Sequence, residues 1–266
     1  MVLTTASPTG WVQRMFGGAS PVQGGPFNVL VLGVDKRPDS EEEGSRSDTM
    51  MLVRVDPESG NVKLLSVPRD LLVDVGTGKD RINTAYNYGG IERAITVFED
   101  FSKIPVDHYA IVDFEGFEET IDAMGGVNVD VGDGDVFPEK WRMKDGVMHL
   151  NGRKALMYAR YRGTAGGDLD RIERQQRLVA ALRSQALDWN TVKRLPKIME
   201  AANQNVQTDL GVRQGISVGR VLIRRGPNAQ MTAQQLKGDP QTLENGDQVL
   251  IPDNEANTPI LDEFRY

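Results

Sequence analysis

One stretch constrains the fold more than any other. Residues 28–35 read NVLVLGVD, apolar almost without interruption. A strand with one face in water alternates apolar and polar residues; an unbroken apolar run needs cover on both faces. The pattern predicts a central strand of a sheet enclosed by helices, ending on a carboxylate, Asp35. Residues 49–55 and 62–67 are two further strands around the turn 56–60 (DPESG), which makes a hairpin. Residues 108–112 and 127–131 also read as strands.

Helical spacing fills the gaps between strands. Ile91, Ala94, Ile95, Phe98 and Phe101 predict a helix over 90–101. A second helix, 114–124, stops at Gly125-Gly126, and others follow at 151–158, 169–187 and 191–202. Strands alternating with helices predict an α/β fold, three layers α-β-α with a mixed central sheet. After about residue 203 the chain turns richer in Gln, Asn, Gly and Pro. There the expected elements are an amphipathic helix over 211–223, strands over 229–236 and 248–251, and a closing helix over 254–264. The expected organisation is a flexible lead-in (1–26), a catalytic domain (27–210) and a C-terminal extension (211–266) packed on that domain.

Composition narrows the function. The net charge of −7 and pI near 5.0 argue against nucleic acid as a partner, which needs a surplus of Lys and Arg. With no cysteine, a disulfide scaffold, a thiol nucleophile and a Cys-ligated zinc site are excluded. His108 and His149 are the only histidines and read as structural. No segment approaches the roughly 18–20 apolar residues of a membrane-spanning helix. The first 26 residues lack the apolar stretch of a signal peptide.

Five clusters set charge beside strand or helix ends: Asp35 in LGVD, Asp48 in RSDT, Arg69-Asp70 after Pro68, Arg160 and Arg162 in YARYR, and residues 168–176 (DLDRIERQQ). Between Arg153 and Arg183 lie eight basic and three acidic residues, a segment of +5 in a chain of −7. Arginine dominates, and its planar fork binds phosphate oxygens bidentately. Several arginines near two strand-end carboxylates suggest a pyrophosphate site with a Mg²⁺-type cation, which takes oxygen ligands. Each cluster also has a plainer reading. Asp35 and Asp48 could cap strand ends, Arg69-Asp70 could be a surface ion pair, the arginines from 171 to 183 could form a solvated helix face, and Asp168 or Asp170 could cap that helix. The chemistry rests on the clusters occurring together.

In order, LGVD, RSDTM, SVPRD, RINTAYNYGG, Asp113-Phe114, GGV, LNGRKALMYARYR and DLDRIERQQ resemble the LytR–CpsA–Psr family over residues 27–187. The resemblance implies a phosphotransferase that moves a glycopolymer, such as teichoic acid or capsule, from a polyprenyl-pyrophosphate carrier onto peptidoglycan. It implies work at the outer face of the cytoplasmic membrane, against a membrane lipid surface, with Mg²⁺ or Mn²⁺. Carried over by motif, the metal carboxylates are Asp35 and Asp48. The pyrophosphate ligands are Arg69, Arg160, Arg162, Arg171 and Gln175. Arg69 is assigned a catalytic role together with Asp70, which supports and orients, as does Asp170. Arg81 stands where the family often has lysine.

Spacing agrees with this assignment. Arg171 and Gln175, four apart, share one helix face beside an apolar stripe of Ile172, Val179, Leu182 and Ala186. Arg160 and Arg162, two apart, would point the same way in an extended segment. The resemblance also implies an apolar tunnel for the lipid, with Ile91, Ala94, Ile95, Phe98, Phe101, Leu178, Val179 and Leu182 as candidate lining and core filling as the plainer alternative. Two rival functions use the same residues: a polyprenyl-pyrophosphate phosphatase, with water as acceptor, and a non-enzymatic carrier of polyprenyl phosphate. The general base stays open between Asp70 and a metal-polarised acceptor.

Overall fold

The computed structural model describes residues 25–34, 47–132, 137–141, 146–161, 163, 168–186, 194, 197–198, 200–201, 206–210 and 230–265. In chain order the elements are β1 (Phe27–Val34), β2 (Ser47–Val55), β3 (Val62–Val67), β4 (Leu72–Asp74), β5 (Lys79–Arg81), α1 (Thr84–Ser102), β6 (His108–Asp113), α2 (Phe114–Met124), β7 (Val127–Asp130), β8 (Val147–Leu150), α3 (Gly152–Arg160), α4 (Asp168–Ala186), β9 (Val206–Thr208), β10 (Met231–Gln235), β11 (Gly238–Thr242), β12 (Gln248–Pro252) and α5 (Asn254–Arg265).

A six-stranded sheet in the order β10-β3-β2-β1-β6-β9 forms the middle layer. It is mixed: β1 runs parallel to β6 and β3 to β10, while the other neighbours are antiparallel. The apolar run of β1 feeds both faces, as its lack of alternation requires. Leu30, Leu32 and Val34 join Met50, Leu52, Leu65 and Val67 on one face, beneath Ala94, Ile95 and Phe98 of α1 and Leu261 and Phe264 of α5. Phe27 and Val29 lie on the other face with Val55, and Met51 and Leu64 there meet Val179 of α4. Leu178 and Leu182 of α4 turn instead to a second cluster built on the β7–β8 hairpin, α2 and α3. Helix α4 therefore bridges the sheet and that cluster.

Local chemistry sets the helix ends. The Asp113 side chain accepts from Gly116 N–H (2.7 Å) at the start of α2, and Gly125 ends it with φ 90°, a conformation glycine takes without a Cβ penalty. The Asn151 side chain accepts from Lys154 N–H (3.0 Å) to start α3. Helix α1 differs from the expected 90–101. It begins at Thr84, but Gly89 and Gly90 are non-helical (Gly90 φ 62°, ψ −155°), so a short turn precedes the amphipathic body. The apolar periodicity starts at Ile91 because the backbone breaks there.

Strands β4, β5, β8, β9 and β11 were not expected. They are three to five residues long and mostly exposed or half-buried, so they carry no apolar alternation to read. After β9, β10 adds to the edge of the main sheet beside β3, and α5 closes the main core. The lead-in up to residue 24 and the helix expected over 211–223 lie outside the described residues, as does most of 191–202. Among the described residues, no helix is long and apolar enough to cross a membrane.

Candidate functional site

The sheet brings four chain ends to one edge. β1 and β6 finish side by side (Val34 opposite Asp113), β2 starts opposite Val34 at Ser47, and β3 finishes at Val67 opposite Met50. Open α/β sheets bind ligands beyond the carboxyl ends of their strands, and this edge is of that kind. Asp35 and Arg162 lie outside the described residues, and of Asp48 only the backbone, within β2, is described. The pairing sets position 48 against the end of β1.

Beyond β3 the chain turns at Pro68, whose carbonyl accepts from Leu71 N–H (3.1 Å). Arg69 and Asp70 sit in that turn, with Arg69 Nε 3.5 Å from Asp70 Oδ2. Both side chains stay partly exposed, although Arg69 Nε itself is buried. Asp70 Oδ1 also lies 3.9 Å from Arg81 Nε, at the end of β5.

The second wall is α4. Gln175 Nε2 donates to Thr49 Oγ1 (3.4 Å) on β2 and to the Ala159 carbonyl (3.2 Å) near the end of α3. One turn earlier, Arg171 is buried to 6% exposure, whereas Glu173 is exposed. The two residues predicted to share a face do so. Arg174 was missed as a separate feature: it is 1% exposed, donates Nη2–H to the Tyr161 carbonyl (2.7 Å), and its guanidinium lies 5.6 Å from the Tyr161 ring centre. Its helical register with Arg171, Gln175, Leu178 and Leu182 was the available signal.

Arg160 departs from the extended geometry expected of it. It is the last residue of α3, exposed, with its guanidinium 3.8 Å over the Phe114 ring at the start of α2. The chain becomes extended only at Tyr161 (φ −66°, ψ 135°). Two-residue alternation therefore does not begin at Arg160.

Beside position 48, two oxygens, Ser47 Oγ and Asn83 Oδ1, are buried with no hydrogen-bond partner among the described residues. Their residues are 0% and 5% exposed, and Asn83 Nδ2 donates to the Ser47 carbonyl (3.4 Å). That bond orients the carboxamide and leaves its oxygen as an acceptor. An oxygen-only surround of this kind suits a hard cation or its water shell. Among the described residues, no three His, Asp or Glu side chains gather into a metal cage.

Phe98 and Ala94 are fully buried in the main core, with Ile95 packed beside them. Their burial fits the core-filling role. Val31, Val53 and Ala110, on the opposite face of the sheet, are only half-buried, as is Val112 beside Gly33 at the edge. The histidines take structural places: His108 Nδ1 lies 3.4 Å from Asp209 Oδ2 and His149 Nδ1 2.8 Å from Asn128 Oδ1.

Arg69 in the turn after β3 and Gln175, tied to Thr49 of β2, lie at the carboxyl edge of a mixed sheet flanked by helices, an α/β fold. The chain belongs to the LytR–CpsA–Psr family, whose model matches residues 12–265. It is 36% identical over 207 residues to the polyisoprenyl-teichoic acid–peptidoglycan teichoic acid transferase TagV of Bacillus subtilis, covering 74% of this chain and 53% of that protein. It is 37% identical over 190 residues to TagU of Halalkalibacterium halodurans, of the same description, covering 70% and 61%. The chain thus spans little more than half the length of these curated relatives. The crystal structure of B. subtilis TagV matches with a TM-score of 0.76 at 31% identity, over 90% of this chain and 96% of that one. A structure of TagT bound to LI-WTA matches at 0.75 and 25% identity, over 90% and 89%.

Proposed function

We propose that this chain is a phosphotransferase that moves a glycopolymer of the teichoic acid or capsule class from a polyprenyl-pyrophosphate carrier onto peptidoglycan. The observation that carries this reading is the tie from Gln175 to Thr49, which joins α4, with its buried Arg171 one turn earlier, to the sheet edge where β3 leads into Arg69. The names of the relatives support the same reaction. Arg69, Arg160, Arg162, Arg171 and Gln175 hold the pyrophosphate. Asp70 orients Arg69. An acceptor hydroxyl attacks the glycan-linked phosphorus, a new P–O bond forms, the bond to the lipid phosphate breaks, and the hydroxyl proton passes to a base. Polyprenyl phosphate leaves. Positioning and fixed positive charge supply most of the rate gain, as in phosphoryl transfer generally.

Asp35 and Asp48 would hold Mg²⁺ or Mn²⁺, and the buried oxygens of Ser47 and Asn83 would add acceptors for the ion or its water. When bound, such an ion neutralises charge on the phosphates. The half-buried apolar residues Val31, Val53, Ala110 and Val112 offer the lipid a surface leading to the charged edge. The reaction belongs at the outer face of the cytoplasmic membrane, where carrier and peptidoglycan meet.

The test is product analysis with a polyprenyl-pyrophosphate-linked glycan, with and without peptidoglycan. A phosphodiester product that needs peptidoglycan supports the transferase. Free glycan phosphate at the same rate in both would make the chain a phosphatase, and no turnover with tight lipid binding would make it a carrier. Mn²⁺ binding followed by electron paramagnetic resonance, lost in Asp35→Ala and Asp48→Ala, tests the cation separately from turnover.

A further inference from the structure

β12 docks beside the turn that carries Arg69 and Asp70: Leu250 N–H donates to the Asp70 carbonyl (2.8 Å), and Leu250 bridges Leu71. The turn ahead of β12 is closed on itself. Leu243 N–H donates to the Asp247 carbonyl (2.8 Å). The Asn245 side chain donates to Asp247 Oδ2 (2.7 Å) and accepts from Asp247 N–H (3.0 Å). One carboxylate oxygen of Asp247 is thus held inside the turn. The other, Oδ1, meets Arg81 Nη2 at 2.9 Å, while Arg81 Nε donates to the Gln248 carbonyl at 3.0 Å. Nε and Nη2 form one edge of the guanidinium, so two neighbouring acceptors grip that edge and set its plane. The gripped Nε lies near Asp70 Oδ1 (3.9 Å), whose partner oxygen faces Arg69 Nε (3.5 Å).

We propose that Asp247 is a positioning residue of the phosphate site: it fixes Arg81 and, through the shared Asp70 carboxylate, Arg69. The C-terminal hairpin then belongs to the machinery that presents cations to a pyrophosphate. This rests on the reading of Arg69 as a pyrophosphate ligand. A merely structural ion pair and a positioning residue differ in sign. Removing a negative charge near an anion site strengthens anion binding through space, whereas removing the group that aims the cations weakens it.

The experiment is calorimetric titration of the full chain with inorganic pyrophosphate at a fixed Mg²⁺ concentration, with thermal melting of each variant. Asp247→Asn should weaken binding about five- to tenfold, the size of roughly one ordinary hydrogen bond. Glu244→Gln, the same charge change on an exposed residue of the same turn, should leave binding unchanged. Asn245→Ala, which loosens Asp247 without altering charge, should weaken it as Asp247→Asn does. In an Arg81→Ala background, Asp247→Asn should add no further loss, because its route is gone. Binding by folded Asp247→Asn as tight as wild type or tighter, or an undiminished loss in the Arg81→Ala background, overturns the inference while the site stands. Arg69→Ala binding as well as wild type overturns the site itself, and the inference with it.

Discussion

Replacing Gly152 with alanine sets two effects of opposite sign against each other. The residue opens α3, where intrinsic propensity favours alanine over glycine by up to about 1 kcal/mol. Its surroundings forbid the exchange. A Cβ there would lie 2.1 Å from the Glu118 carbonyl oxygen and 2.6 Å from its carbon, both backbone atoms of α2. No side-chain rotation relieves that, so α2 and α3 must part by roughly an ångström, and Gly152 N–H must loosen its bond to Asp122 Oδ1 (2.7 Å). Overpacking of this kind costs about 1–3 kcal/mol, at the upper end when backbone is hit. The net expectation is a destabilisation of about 1–2 kcal/mol, or a fall in Tm of roughly 3–6 °C. Because Ala159, whose carbonyl accepts from Gln175, lies in the last turn of α3, transfer activity should fall as well. Thermal melting and urea unfolding measure the first effect. A Gly152→Ala protein as stable as wild type, or more so, refutes the close approach of the two helices.

Further predictions follow from single contacts. Gln175→Leu keeps side-chain volume but cannot donate to Thr49 and Ala159, so it should lose most transfer activity with a Tm within a few degrees of wild type; unchanged kinetics would remove Gln175 from the site. Phe98→Trp overpacks the main core at a fully buried position, costing about 1–3 kcal/mol, and should impair long- and short-chain donors equally; selective loss with long chains would return Phe98 to a lipid passage. In the β2–β3 turn, the Ser59 hydroxyl bond holds the Asp56 carboxyl below the ordinary aspartate range, outweighing the opposing effect of burial, with the Glu58 and Ser59 backbone N–H groups adding to it. A depressed carboxyl contributes stability above its unfolded value and loses it as pH falls through the folded one. Ser59→Ala should therefore be less stable than wild type near neutral pH, with the gap narrowing as pH falls through and below the ordinary aspartate range; a gap that stays constant as the carboxyl is protonated would contradict the linkage.

The identity of the main elements was legible because each follows from local chemistry. An apolar run without alternation suits a strand that feeds both faces of a sheet, as β1 does: Leu30 and Leu32 lie beneath α1, and Phe27 and Val29 join a smaller cluster on the other face. Asp113 and Gly125 mark the two ends of α2 by capping, and residues 62–67 match β3 to the residue. Four-residue spacing alone put Arg171 and Gln175 on one face. The chain order of its motifs was enough to suggest the family. What could not be read is whatever depends on partners distant in sequence. Apolar spacing in α1 and α4 looks the same whether residues fill a core or line a passage, and only packing shows Phe98 sealed in the main core. Arg174 reads as one more charge on a basic helix until the fold closes the Tyr161 carbonyl over it. Strands β4 and β5 have too little apolar surface to announce themselves; they exist because each supplies the other's hydrogen bonds. Asp247 stands 166 residues from Arg81, in a polar turn with no motif, and the two meet because β12 docks beside Leu71. Side-chain periodicity and capping are properties of neighbouring residues, whereas closing a site from distant segments requires the whole core to form and hold them in register.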